Sequence, residues 1–480
     1  MAELVDAIDS KSIDGNIMRV RFSPWAQRYM SAKNKKLDLP IHNSVDFQVN
    51  GGKKLRGTIK TNFSKNGSVG LLCASLLNRG TTTFHGIAKI EEVYRVIEIL
   101  ESIGVKVEWQ KQNTVMITPP RTFNLKNLNR ESAVKTRSVL MCIGPLVHFL
   151  SPFNIPHAQG CNLGKRTIAA HAYALEELGV HIKVTDDNYK VSCKKLNGAT
   201  IIMYEASDTA CENILMATAL IPEKTTIKFA TSNYMVQEIC FFLEKLGVKI
   251  EGIGTSTLVV HGLANINQNI EYHNSEDPIE SMTFIAAAIV TDSELTIARA
   301  PINFLELELY KLKKMGLKLK ISKEYKSYNG HTNLVDIIVY PSKLTALDDK
   351  IHAVPYPGIN MDNLPYFVIP AMKAKGQTLI HDWTFENRAI YLTELNRLGA
   401  NITLADPHRL YIQGGTPLKS AQVVCPPALR PSMVILISML GASGISILRN
   451  VYMINRGYEE IAERLNSIGA DIKIIKGTYV

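Results

Sequence analysis

The sequence predicts an α/β protein of two domains, assembled from six βα repeats. Two observations carry this. A phrase of the form L-x-x-L-G-x-x-I recurs six times, and its glycines are Gly104, Gly179, Gly247, Gly316, Gly399 and Gly469. Their separations run from 68 to 83 residues, too long for the common helical solenoids but right for a small βα unit with extra strands.

Each copy has the same physical content. Leucines at helical spacing mark an amphipathic helix. The glycine stands where a helix end needs a left-handed residue. An alternating strand follows, such as VKVEW after Gly104 or ADIKII after Gly469. Ahead of the helix come strands with turn signals, as in TTTFHGI and TTIKFAT, and a first helix with a polar start, as in SKNGSVGLLCASLL or SDTACENILMATAL. A unit thus reads as strand, helix, strand, helix, strand. Any one copy could be chance; six in register could not. Three units per domain place a break in the polar, turn-rich stretch between Gly262 and Ser275, with a ligand cleft between the halves. The fourth unit carries extra residues, KEYKSYNGHTN, which read as an exposed hairpin or loop.

Composition narrows the class. The 480 residues are 46% hydrophobic and hold no apolar run of membrane-spanning length. Seven cysteines without paired spacing exclude a disulfide framework and a zinc site, and fit a reducing cytoplasm. Cys73, Cys142, Cys211 and Cys240 fall in apolar helical runs and read as small core residues. A net charge of +10 suits anionic partners. Against nucleic acid, no basic stripe is interleaved with aromatic residues. Residues 1–44 read as a basic extension without the apolar core of a secretory signal.

Cationic residues gather at the ends of repeat elements. Lys65 and Asn66 open a helix, where free backbone amides favour a phosphate. Arg137, Arg388, Arg430 and Arg456 lie at the starts of later helices. One such arginine is usually idle; this set, with Arg166, points to a converging anion site. Cys161 lies between Gly160 and Gly164 and is followed by Lys165 and Arg166, a setting that lets a thiol move and lowers its pKa. Asp362 follows a Pro-Gly turn before an apolar helix, and reads first as a helix cap and second as a general base.

In order along the chain, SKNG, KTRS with GPLV, GCNLGKR, DPIES, MDN, FENR, LRPS and NRGYE resemble the UDP-N-acetylglucosamine enolpyruvyl transferases over residues 47–476. The resemblance implies the two-domain inside-out α/β barrel of that family. It implies first strands within 45–64 that join the second domain, a first domain at 65–270, and a second at 271–480. It further implies transfer of the enolpyruvyl group of phosphoenolpyruvate to the 3-hydroxyl of UDP-N-acetylglucosamine, with release of phosphate, at the start of peptidoglycan synthesis.

The carried-over roles are specific. Cys161 matches the acid toward C3 of phosphoenolpyruvate and the fosfomycin target. Lys65, Arg166 and Arg456 match binders of the phosphate and carboxylate, with Asn66 a polar contact in the same motif. Asp362 matches the carboxylate that handles the sugar hydroxyl proton. Arg137 matches a contact to the UDP-sugar, and Thr384, Arg388 and Arg430 further substrate contacts. No cofactor, metal or nucleic acid is implied, and a monomer is expected. The chain departs from the family at HAQGC, at Thr167 and Ala169, and at SDTAC, segments where uridine and diphosphate contacts lie. The alternatives are therefore another nucleotide or sugar acceptor and, more remotely, an RNA-cyclase-like enzyme.

Overall fold

The computed structural model describes residues 45–111, 113–158 and 167–476. The basic N-terminal extension, Cys161 and Arg166 lie outside the described residues. Among the described residues the strands form six sheets, and five of them share one order. In each of the five, an edge strand runs parallel to its neighbour and two further strands follow. Thr200–Ile202, Lys224–Lys228, Thr257–His261 and Lys249–Glu251 are one example, the last two pairings being antiparallel. The sequence reading of one strand after each second helix was short by one in five units, because that strand turns back into a hairpin; after Ile461–Ser467 only Ile472–Lys476 follows. Phe153–Pro156, Asn188–Cys193 and Val180–Val184 make the sixth, three-stranded sheet.

All six repeat glycines have positive φ, between 88° and 103°. After five of them the next amide reaches back to the carbonyl five residues earlier, as from Val105 to Leu100 at 3.1 Å and from Leu317 to Leu312 at 2.9 Å. This Schellman closure satisfies helix-end carbonyls and turns the chain into the strand. In the helix Glu91–Ser102 the buried residues are Val93, Val96, Ile97, Ile99 and Leu100, one apolar stripe laid against the core.

A second class of helix is buried nearly all round and supplies the interior. Lys65–Ala74 and Asp208–Thr218 both pack on Tyr234–Lys245, while Pro278–Val290 and Leu429–Gly441 pack on each other and on Val368–Lys373. Every residue of Pro278–Val290 is buried. Cys73, Cys142, Cys211 and Cys240 are buried in this core, as their apolar settings predict.

Two stretches connect residues 65–261 with the rest, and they run side by side. Phe63 bridges Glu276 antiparallel, and Ser64 N–H donates to the Ser275 carbonyl at 2.7 Å. Asp277 caps its own helix through Ile279 N–H at 2.8 Å and also accepts from Lys65 N–H at 3.1 Å, so one carboxylate anchors two helix starts. The polar stretch read as a break contains the strand Ile270–His273, which pairs parallel with Thr82–His85. Its polar character has a structural reason: only Tyr272 of the strand is fully buried.

The extra residues of the fourth unit form the expected hairpin, with Tyr325–Lys326 pairing into Asn333–Tyr340. Its tip is not idle. His331 stacks on Phe241 with ring centroids 4.1 Å apart, and Asn329 Nδ2 donates to Glu238 at 3.2 Å.

Candidate active site

A cavity of about 680 Å³ opens over the starts of the core helices. Lys65, Asn66, Arg137, Asp362, Thr384, Arg388, Arg430 and Arg456 all line it, so the structure brings together every site residue expected from the sequence that is described. Thr167 and Ala170, at the described end of the cysteine loop, line it too.

One wall is built around Glu92. Its carboxylate accepts from Lys65 Nζ at 3.0 Å, and Arg456 Nε lies 3.7 Å away. Hydroxyls of Thr136 and Ser138 donate to its other oxygen at 3.2 and 3.1 Å. Burial works against this charge, but Lys65 and Arg456 outweigh it and bring the carboxyl down to about 2. Glu92 therefore stays ionised and holds two cations side by side. Asn66 Nδ2 donates to the Tyr234 hydroxyl at 2.9 Å, which fixes the amide.

A second part of the lining is built around Asp362. Ser64 is a true cap, accepting from Gly67 N–H, but Asp362 is not one. Asn360 takes that turn role through its side chain and the Asp362 N–H at 2.8 Å. The Asp362 carboxylate is instead 3.0 Å from Arg430 Nη2 and 3.9 Å from Arg388 Nη1. Burial would raise its pKa, yet Arg430 and then Arg388 hold it below the ordinary carboxylate value. Arg430 also donates to the Tyr458 hydroxyl at 2.7 Å. Arg388, almost wholly buried, is gripped by Asp382 at 2.5 and 2.7 Å and covered by the Phe385 ring at 4.3 Å. Arg137 donates to the Thr167 carbonyl, tying the KTRS element to the end of the cysteine loop.

Sequence reasoning missed Glu92, Asp382 and Asp208. Glu92 sits in a Glu-Glu pair at a helix start, which resembles ordinary dipole pairing. Asp208 lines the cavity from SDTAC, accepts from Asn233 at 2.9 Å, and has its pKa raised by burial. The arrangement can hold a multiply charged anion against Lys65 and Arg456, with an ionised carboxylate facing it as a proton acceptor.

Residues 49–465 match the family described as EPSP synthase (3-phosphoshikimate 1-carboxyvinyltransferase). The chain belongs to this carboxyvinyltransferase family. Among its relatives is the UDP-N-acetylglucosamine 1-carboxyvinyltransferase of Bradyrhizobium diazoefficiens, 31% identical over 89% of this chain and 98% of that protein. The protein of the same name from Treponema denticola is 32% identical over 89% of this chain and 99% of its own length. Of solved structures, the enolpyruvyl transferase NikO from Streptomyces tendae superposes with a TM-score of 0.78, covering 91% of this chain and all of that one at 21% identity. EPSP synthase from Acinetobacter baumannii gives 0.70, covering 90% of this chain and all of that one at 19% identity. At those identities the structures establish the carboxyvinyltransferase fold and nothing finer. No helix among the described residues is long and apolar enough to cross a membrane.

Proposed function

We propose that the chain transfers the enolpyruvyl group of phosphoenolpyruvate to the 3-hydroxyl of UDP-N-acetylglucosamine and releases inorganic phosphate, as a monomeric enzyme of the cytoplasm. The observation that carries the reading is that the Lys65–Arg456 pair and the Asp362 carboxylate line one cavity, close enough for Lys65 to help hold Asp362 ionised. Lys65 and Arg456, with Arg166, hold the phosphate and carboxylate of phosphoenolpyruvate. Asn66, Arg137, Thr384, Arg388 and Arg430 orient the substrates.

The steps balance. Asp362 accepts the proton of the sugar hydroxyl as its oxygen bonds to C2, and Cys161 supplies a proton to C3. The C2–phosphate oxygen bond then breaks, the departing phosphate takes up the proton held by Asp362, and C3 returns a proton to the Cys161 thiolate as the double bond is restored. Fixed cations stabilise charge along this path without reorganising. The same reading takes the sheets and helices as a two-domain inside-out barrel of six repeats. The halves are 65–270 and 271–480, with 45–64 joined to the second and 1–44 a separate extension.

The test is phosphate release by purified protein. Release that requires both compounds supports the reading, and none above background refutes it. A second reading is favoured by Asp208, a carboxyl in the cavity wall at SDTAC, one of the segments that depart from the family: the acceptor is another nucleotide or sugar. A panel of UDP-sugars and nucleotides in the same assay separates the two.

A further inference from the structure

We infer that Asp382 is a positioning residue that holds the Arg388 guanidinium back from Asp362, and so keeps Asp362 able to take a proton. The inference rests on the transfer reaction proposed above. Its basis is a row of alternating charges, Asp382–Arg388–Asp362–Arg430. Asp382 and Arg388 are each about 1% exposed. Two Arg388 nitrogens contact the two oxygens of Asp382 at 2.5 and 2.7 Å, a bidentate fork. Arg388 Nη1 faces Asp362 Oδ1 at 3.9 Å, beyond hydrogen-bond reach.

Asp382 itself is fixed by His408 and by its own loop. Its N–H donates to the His408 carbonyl at 2.7 Å, its own carbonyl is 3.0 Å from His408 Nδ1, and Thr384 Oγ1 donates to its carboxylate at 3.2 Å. The Phe385 ring covers the guanidinium at 4.3 Å. Arg388 is thus held by a carboxylate that lies outside the cavity lining and has no part in the chemistry. A buried guanidinium that loses its counter-ion moves to the nearest other carboxylate, because an unpaired buried charge is strongly disfavoured. Here that carboxylate is Asp362, already in contact with Arg430. A second tight guanidinium would lower its proton affinity further and weaken it as a base. Asp382 therefore divides the labour: Arg430 pairs with Asp362, and Arg388 is satisfied elsewhere while its charge still faces the cavity.

The test is a double-mutant cycle on the full chain, read as phosphate release with KM taken for each substrate. Asp382→Asn should lower kcat at least tenfold with a smaller change in either KM, since Lys65, Arg430 and Arg456 stay in place and only Arg388 shifts. Asp382→Glu, which keeps the charge, should hold kcat within threefold of wild type. In an Arg388→Lys background Asp382→Asn should add less than a threefold loss, because its effect passes through Arg388. The inference is overturned by a kcat for Asp382→Asn within twofold of wild type, by a KM rise as large as the kcat loss, or by losses that multiply in the double variant. If Asp382→Asn does not fold, Asp382→Glu against Arg388→Lys decides: retained kcat in the first with a tenfold loss in the second supports it, and equal losses overturn it. Wild type that releases no phosphate refutes the parent reaction, whereas an active wild type with an unaffected Asp382→Asn removes only the positioning role.

Discussion

At the scale of residues, Glu92 decides how the cavity keeps its charge in the absence of substrate. A carboxyl brought down to about 2 from its ordinary value contributes stability of about 3 kcal/mol, fully present above pH 4.3 or so and lost as pH falls through about 2. Glu92→Gln should therefore destabilise the protein at pH 7 by that order, with the gap to wild type closing below pH 4; urea unfolding over this range measures it. Asp362→Asn removes the proton acceptor but leaves the cations, so turnover should fall at least a hundredfold while phosphoenolpyruvate binding, followed by calorimetry, is retained. Cys161→Asp should keep measurable turnover, since a carboxylic acid also donates a proton, and lose sensitivity to fosfomycin; full sensitivity would remove the thiol from its assigned role. Lys65, Arg388 and Arg430 were legible from sequence because each stands at a helix start in a recurring frame; Arg456, read the same way, instead caps the C-terminal end of Tyr452–Asn455. Glu92 was not, because the partner that gives it meaning, Lys65, is 27 residues away and joined to it only by the fold. Asp382 lies close to Arg388 in sequence, but no periodicity marks a loop that folds back on itself.

At the scale of elements, the six glycine closures were the most legible feature, since a left-handed helix end is a local demand that only glycine meets cheaply. They are not equivalent in the folded chain. A Cβ on Gly104 would sit 3.4 Å from the Pro120 ring, whereas one on Gly179 would sit 2.5 Å from the Lys195 carbonyl oxygen. Gly104→Ala should cost about 1–2 kcal/mol from the backbone alone, and Gly179→Ala clearly more, both read from chemical unfolding. The hairpin of the fourth unit was legible as an insertion but not in its docking. Its Asn329 meets Glu238, whose carboxyl is pushed up to about 8 by burial and so stays protonated at neutral pH. Between pH 4.3 and 8 the folded state binds this proton and the unfolded chain does not, so stability falls as pH rises. Glu238→Gln should abolish that fall, on the order of 1–3 kcal/mol, in melts compared at pH 5 and pH 8. A pH profile unchanged by the substitution would show that Glu238 titrates normally.

At the scale of the whole molecule, the sheets repeat one plan, but one of them is closed by chain from the other end. Val45–Gly51 lies between Gly444–Arg449 and Ile472–Lys476, with Phe47 opposite Leu448. The repeat phrase could not reveal this, because it contains no trace of which strand completes the last unit. Removing residues 472–480 should leave one edge of Val45–Gly51 unpaired, and the soluble fraction on expression should drop sharply. The same strand has a consequence for biosynthesis. At ordinary translation rates, Phe47 is made roughly 20 to 80 s before Leu448. Throughout that interval a strand with Phe47 and Val49 ready for burial has no partner. The nascent chain must shield it, by a chaperone or by transient pairing, until the final repeat emerges.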